Sequence, residues 1–221
     1  MSKITELFIN NKRWSDEIKS SDPTFFNKLA QQQAPEYLWI GCSDSRVPAN
    51  EIVGLLPGDL FVHRNVANVV IHTDFNCLSV LQFAIDVLKV KHVIVGGHYG
   101  CGGVKAAMGT KSLGLIDNWL SGIKHLYLAQ KDLINALGDS NYQLDAMCEL
   151  NVVEQVNNLG QTTIVQDAWG RGQELHLHGF IYGISDGILR DLKVSVSSPG
   201  EMENITPEAW AKAKFSPQDP Q

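Results

Sequence analysis

Residues 92–103 read HVIVGGHYGCGG, and this stretch decides the fold. Its first half is almost free of charge and rich in β-branched side chains, which predicts a buried strand over residues 92–98. The glycines around Cys101 predict a sharp turn out of that strand. Residues 37–46, YLWIGCSDSR, repeat the pattern of an apolar run followed by polar residues, and residues 60–64, LFVHR, predict one more strand.

Helical periodicity follows these strands. Helices are predicted from Pro48 to about Leu55, over residues 76–90 with Asp74 as N-cap, over 113–137, and over 144–169 with a break near Gly160. Two late strands are predicted over residues 175–184 and 188–196, around Asp186-Gly187. Alternating strands and helices indicate an α/β fold with a mainly parallel central sheet flanked by helices.

The two ends of the chain differ from this pattern. Residues 1–34 are predicted to form an N-terminal helical arm, with Asp22 as N-cap and Pro23 as first residue of one of its helices. Residues 198–221 are predicted to be a polar C-terminal tail that frays. We find no repeat or linker, so the 221 residues are expected to form a single domain with these appendages.

Charge and composition narrow the classes of partner. The formal net charge is −6, which argues against nucleic acid or an anionic membrane as a partner. No apolar run approaches the ~20 residues that span a bilayer, and residues 1–6 lack a signal-peptide pattern, so a cytoplasmic protein is expected. In that reducing compartment four cysteines indicate metal binding or catalysis more than disulfides.

Three residues of metal-binding type follow predicted strands. Cys42 ends the first strand, His98 ends the strand at 92–98, and Cys101 lies three residues further on. In parallel sheets reactive groups gather at the carboxyl ends of strands. Two cysteines and one histidine form a catalytic zinc set with a fourth position open. Taken alone, the cluster at Cys42 or the cluster at His98 and Cys101 is as compatible with a glycine-rich turn and a buried cysteine as with a metal site. The two clusters together favour zinc.

Asp44 and Arg46 stand next to the first of these ligands. The Asp44 carboxylate has two possible partners, the metal and the Arg46 guanidinium. Bound to Arg46, it leaves the fourth zinc position to water; released, it binds zinc itself and closes the site.

These motifs resemble those of the β-class carbonic anhydrases, especially the bacterial ones. The resemblance rests on CSDSR at 42–46, FVHRNVAN at 61–68 and GHYGCGG at 97–103. It implies one zinc ion per chain on Cys42, His98 and Cys101, and a catalytic dyad of Asp44 and Arg46. It also implies substrate contacts from Gln33 and Gly102. A departure is Gly96, where many relatives carry a cysteine.

The resemblance extends to quaternary structure and regulation. Relatives form homodimers or homotetramers in which the N-terminal helices lie over a neighbouring subunit. One subgroup binds inhibitory bicarbonate at a second site, and the matching residues are Trp39, Arg64 and Tyr182. This match implies the closed form of the zinc site near neutral pH or below. From the residues alone, a core tryptophan, a snorkelling arginine and an ordinary strand tyrosine remain the alternative.

The resemblance implies zinc-dependent, reversible hydration of carbon dioxide to bicarbonate and a proton, with allosteric inhibition by bicarbonate. Two alternatives remain open: a hydrolase of a related small heterocumulene such as carbon disulfide, and a non-catalytic zinc protein. Cys77 and Cys148 are expected to be core residues. His176 and His178 alternate as on the polar face of a strand.

Overall fold

The computed structural model describes residues 2–215, and the chain divides into two compact units, Met1–Ala34 and Pro35–Gln221. The single-domain organisation stays a prediction. Of the tail, Pro217 and Pro220 lie outside the described residues.

The first unit consists of helices α1 (Lys3–Ser21) and α2 (Phe25–Gln31). We had predicted that Asp22 is the N-cap of α2, and this prediction is wrong. The Asp22 N–H donates to the Ile18 carbonyl and ends α1, while its carboxylate accepts from the N–H of Thr24 at 2.8 Å. The carboxylate thus forms an Asx turn with a residue that precedes the helix, and α2 begins only after Thr24.

The second unit is built on a five-stranded sheet. The strands are β1 (Tyr37–Cys42), β2 (Leu60–Asn65), β3 (His92–His98), β4 (His176–Gly183) and β5 (Ile188–Val196). Their order is β2-β1-β3-β4-β5, with all neighbours parallel except β4 and β5. The prediction of a mainly parallel sheet flanked by helices is confirmed.

Helices connect and cover the strands of this unit. They are α3 (Ala49–Val53), α4 (Phe75–Gln82), α5 (Gly102–Met108), α6 (Ile116–Trp119), α7 (Ser121–Ala129), α8 (Lys131–Asn135), α9 (Ser140–Gly160), α10 (Thr163–Gly170) and α11 (Pro207–Phe215). Within residues 2–215, none of the helices is both long enough and apolar enough to pass through a bilayer.

Several predicted helices have different bounds in the structure. Asp74 caps α4 as predicted, but the helix continues through a π-helical turn at Phe83–Val87 rather than to residue 90. The helix predicted over residues 113–137 is three short helices, α6 to α8. The break near Gly160 is confirmed, because Thr162 caps a new helix there.

The C-terminal segment is more ordered than we had predicted. It forms a 3₁₀ segment over Pro199–Ile205 and then α11. Ile205, Pro207 and Ala211 are buried, whereas residues of a frayed polar tail would be exposed. The apolar residues of this segment are too sparse to predict a packed helix from the sequence. The helix is stabilised by contact with α9, which is distant in the chain.

The sheet carries two cores of unequal size. Leu38, Ile40, Val93 and Val95 point into the large core that includes residues of α4, α5, α7, α9 and α10. Trp39, Ala49, Leu60 and Ile94 form a smaller cluster on the opposite face. Residues alternate between the faces along each strand, so the carboxyl ends of β1 and β3 project together at one edge.

Candidate metal centre

The three predicted ligands meet where β1 and β3 end. Cys42 is the last residue of β1, His98 is the last residue of β3, and Cys101 is the N-cap of α5. Because β1 and β3 are parallel neighbours, their carboxyl ends lie side by side. The two sulfurs are 3.9 Å apart, and the three ligand atoms all lie within 4.8 Å of one another. All three residues are buried.

His98 presents a nitrogen that has no protein partner among the described residues. Its Nδ1 donates to the Tyr99 carbonyl at 3.0 Å, since a carbonyl can only accept. That bond leaves the lone pair on Nε2, which is buried and makes no hydrogen bond with any atom of residues 2–215. Buried polar atoms are nearly always paired, so this nitrogen fits a metal ion. Two sulfurs and one imidazole nitrogen are a zinc donor set.

The Cys42 and Cys101 thiols interact directly with each other. The Cys101 thiol hydrogen-bonds to Cys42 and lowers the pKa of Cys42, and the neighbouring His98 imidazole and the backbone N–H groups of Asp44 and Ala67 lower it further. The same contact, together with burial, raises the pKa of Cys101. A divalent cation in place of the shared proton would allow both sulfurs to be thiolates.

Arg46 holds the Asp44 carboxylate at the mouth of this site. One carboxylate oxygen accepts from Arg46 Nε at 2.9 Å and from its backbone N–H at 3.0 Å; the other accepts from Nη2 at 2.7 Å. These bonds keep the pKa of Asp44 well below its usual range. Asp44 Oδ2 is also 3.9 Å from His98 Nε2. The structure therefore shows Asp44 bound to Arg46, the arrangement that leaves the fourth zinc position to water, and the closed form stays a prediction.

Arg64 supports the backbone of the same turn. Its guanidinium donates to the carbonyl of Cys42 at 2.8 Å and to the carbonyl of Asp44. The cation in this strand therefore has backbone partners, which the sequence did not reveal. Its contacts connect β2 to the segment that carries a predicted ligand and the predicted dyad.

Trp39 and Tyr182 lie on the same face of the sheet as Arg64. Arg64 pairs with Gly41, Gly41 pairs with Gly96, and Tyr182 pairs with His98, so strand alternation places all three side chains on one face. Trp39 is buried, and a β-carbon at Gly41 or at Gly96 would overlap its indole ring. The glycine at 96, where many relatives have cysteine, is thereby explained by the position of the indole.

The two predicted substrate contacts differ in what the structure says of them. Gly102 is the first residue of α5, is exposed, and has open space where a side chain would stand. Gln33 is exposed and belongs to the first compact unit. The roles of both residues stay predictions.

Sequence reasoning missed two contributors to the site. Ala67 has a φ of 67°, in the left-handed region, and its backbone N–H helps to lower the pKa of Cys42. Tyr99 supplies the carbonyl that orients His98. An alanine or a tyrosine does not by itself indicate such a role. Only the position of the two residues within the motifs could have pointed to them.

Comparison with known proteins agrees with this geometry. The family described as "Carbonic anhydrase" matches residues 37–189. The chain belongs to the β-class carbonic anhydrase family. A carbonic anhydrase of Emericella nidulans is 44% identical over 200 residues, covering 90% of this chain and 87% of the relative. One from Candida albicans is 37% identical, covering 87% of this chain and 69% of the relative.

Solved β-carbonic anhydrases share the fold. The Coccomyxa enzyme, in complex with acetazolamide, superimposes with a TM-score of 0.89 at 36% identity over 97% of each chain. A structure from a study of two tetrameric β-carbonic anhydrases of Sordaria macrospora gives 0.84 at 36% identity, covering 88% of this chain and 98% of that one. The curated relatives named here are fungal, so they do not support the bacterial, bicarbonate-regulated subgroup that we had expected.

A second group of metal-binding residue types in this carbonic anhydrase has a structural explanation. Ligand atoms of His63, Asp74 and Cys77 lie within 4.8 Å of one another. However, Asp74 caps α4, and His63 Nε2 accepts from the Asn65 amide at 3.3 Å. Cys77 is fully buried, and burial raises the pKa of its thiol to about 12. We assign this group to packing; Cys77 and Cys148 are both core residues, as predicted.

Three histidines stack on the sheet at β3 and β4. The His92 ring lies 5.2 Å from that of His176 and 5.3 Å from that of His178, and His92 Nδ1 is 3.1 Å from His178 Nε2. Burial, together with the neighbouring His92 and His176, lowers the pKa of His178 from 6.5 to about 4. Between these two values the unfolded chain binds more protons than the folded protein. This contribution to stability is complete above pH 6.5 and is lost as the pH falls towards 4.

Replacing His178 with glutamine is expected to flatten the loss of stability below neutral pH, because it removes a ring that must be neutral in the folded protein. Urea unfolding midpoints measured at several pH values between 7 and about 4 check this. The matched control is His125→Gln at an exposed position, which should keep the wild-type pH dependence. Equal slopes for His178→Gln and wild type would contradict the assignment.

Proposed function

We propose that this chain catalyses the reversible hydration of carbon dioxide to bicarbonate and a proton, with one zinc ion held by Cys42, His98 and Cys101. The observation that carries the proposal is the buried Nε2 of His98, which lies beside two sulfurs and has no hydrogen-bond partner in the described part of the chain. Two thiolates and a neutral imidazole balance the charge of Zn²⁺. A bound zinc ion would supply Lewis acidity and an acidified water at its remaining coordination position.

Asp44 and Arg46 complete the proposed chemistry. With its pKa held well down by Arg46, Asp44 is ionised near neutral pH and can only accept hydrogen bonds. We assign it to orient the reacting water by accepting its proton in a hydrogen bond. Arg46 fixes the direction of the carboxylate through two side-chain contacts and keeps it from competing for the metal.

The test is a stopped-flow hydration assay combined with metal analysis. The purified protein is expected to contain one zinc ion per chain, to lose activity in proportion to zinc removed by a chelator, and to recover when zinc returns. Carbon disulfide is assayed in parallel. A fully zinc-loaded protein that does not hydrate carbon dioxide overturns the proposal.

We further propose that bicarbonate inhibits the enzyme through Trp39, Arg64 and Tyr182. Their common sheet face supports this, as do the bonds from Arg64 to the carbonyls of Cys42 and Asp44. An anion that competes for the guanidinium would loosen the turn that holds Asp44 against Arg46. Regulation and catalysis would then share one segment of backbone.

Tyr182→Phe is expected to weaken bicarbonate inhibition about tenfold, since a hydrogen bond to a charged group contributes roughly 1.5–3 kcal/mol. The variant leaves the bonds of Arg64 in place, so zinc content and uninhibited turnover should not change. Inhibition curves are compared with those of Tyr37→Phe, a tyrosine on the same sheet. Identical curves for wild type and Tyr182→Phe would remove Tyr182 from the proposed site.

We also propose a homodimer or homotetramer in the cytoplasm. Helix α1 has no buried residue, and Ile4, Leu7, Phe8 and Trp14 are exposed on it, Phe8 by 71%. Exposed apolar residues in such number are typical of an interface, and a second copy of the chain fits them. Light scattering should give the mass of two or four chains, and cell fractionation tests the compartment. A mass of one chain contradicts the proposed assembly.

A further inference from the structure

Helix α9 carries a buried carboxylate that the proposed chemistry does not use. Glu149 is 7% exposed and is surrounded on its helix by buried apolar residues such as Met147 and Leu150. A buried carboxylate is costly unless its oxygens are hydrogen-bonded. One oxygen of Glu149 accepts from the Tyr99 hydroxyl at 2.6 Å, and the other accepts from Lys214 Nζ.

Tyr99 connects this carboxylate to the metal centre. Its carbonyl accepts the Nδ1 proton of His98 at 3.0 Å, and its N–H donates to the Tyr182 carbonyl at 3.0 Å. Tyr99 also lies directly between His98 and the turn to Cys101. The residue that orients the imidazole is therefore held by its backbone to β4 and by its side chain to α9.

Lys214 extends the connection to α11. Its ammonium lies 4.8 Å from the centroid of the Trp210 ring on the same helix. The side chain of Lys214 is 40% exposed, whereas that of Glu149 is 9% exposed, so the ion pair stands at the rim of the core. A continuous series of contacts thus runs from Lys214 through Glu149 and Tyr99 to His98.

We propose that Glu149 and Lys214 are positioning residues of the metal centre, which fix the Tyr99 side chain and thereby the carbonyl that orients His98. Partners of this kind set the tautomer and the ring direction of a histidine ligand. The inference rests on the proposed zinc site. It adds that the helix at the far end of the described chain tunes how tightly zinc is held.

The test measures zinc affinity by competition with a chelator, and the absorption spectrum of the cobalt-substituted protein, which reports ligand geometry. Tyr99→Phe removes only the hydroxyl that donates to Glu149, and Lys214→Met removes the ammonium that pairs with the same carboxylate. Each should weaken zinc binding about tenfold and shift the cobalt bands, since loss of such a partner typically costs 10–100-fold. The double variant should be no weaker than the worse single one, because both act through one series of contacts.

Matched controls separate positioning from general effects. Tyr142→Phe alters a second tyrosine that lines the surface groove beside Tyr99 and Glu149. Lys212→Met alters an exposed lysine of α11, and both variants should behave as wild type. Lys214→Arg should restore affinity. Wild-type zinc affinity and cobalt bands in both Tyr99→Phe and Lys214→Met overturn the inference. If instead the wild-type protein binds no zinc, the proposed function itself fails.

Discussion

Cys101→Ser is expected to abolish stoichiometric zinc binding and to lower carbon dioxide hydration by about a thousandfold or more. Zinc contributes several kcal/mol to such a transition state, and each 1.36 kcal/mol is a factor of ten in rate. A serine hydroxyl is a poor replacement for a thiolate in a site with only two sulfurs and one nitrogen. Metal analysis after dialysis, followed by the stopped-flow assay, measures both effects.

Cys77→Ser is the matched control, because Cys77 is fully buried but is assigned to packing. It should lose some stability and keep one zinc ion per chain. Cys101→Ser protein that retains zinc and full turnover would exclude Cys101 as a ligand. Zinc lost from Cys77→Ser instead would direct attention to the group at His63 and Asp74.

The second large effect is expected from Asp44→Asn. The variant should keep its zinc but lose hydration activity by roughly 10²–10³-fold, the range typical for the loss of one preorganised hydrogen-bond partner of the reacting group. The asparagine amide carries two donor hydrogens, so it can no longer accept from Arg46 with both atoms. Turnover and zinc content, measured on the same preparation, check the prediction.

Asp186→Asn supplies the comparison for Asp44→Asn. Asp186 is also held by an arginine, Arg190, but it stands outside the candidate metal centre. Near-normal turnover is expected for this variant. If Asp44→Asn hydrates carbon dioxide as fast as Asp186→Asn, the dyad has no catalytic role.

Much of the sheet could be predicted because its signals are local. Charge-poor runs rich in β-branched residues predict the ends of β1, β2 and β3 to within one residue. The antiparallel direction of β5 could not be assigned, since it depends on pairing with β4 rather than on its own pattern. The same holds for α11, whose buried residues require a surface on α9.

The candidate ligands could be predicted for a different reason. Cysteine and histidine at the ends of predicted strands need only the rule that neighbouring parallel strands end together. The hydrogen-bond partners of Arg64 and Glu149 could not be predicted, because they lie on elements 20 or more residues away in the chain. No local sequence pattern encodes the direction of side chains between such elements. Whether Asp44 lies on Arg46 or on the metal is likewise a balance of contacts, not of composition.

The indole of Trp39 makes two distant positions in the chain interdependent. Any side chain at residue 96 would occupy the volume that the ring now fills, so the ring would have to rotate away first. The effect of a substitution at 96 is thus epistatic with the residue at 39. Library designs that reshape this face of the enzyme need to vary the two positions as a pair.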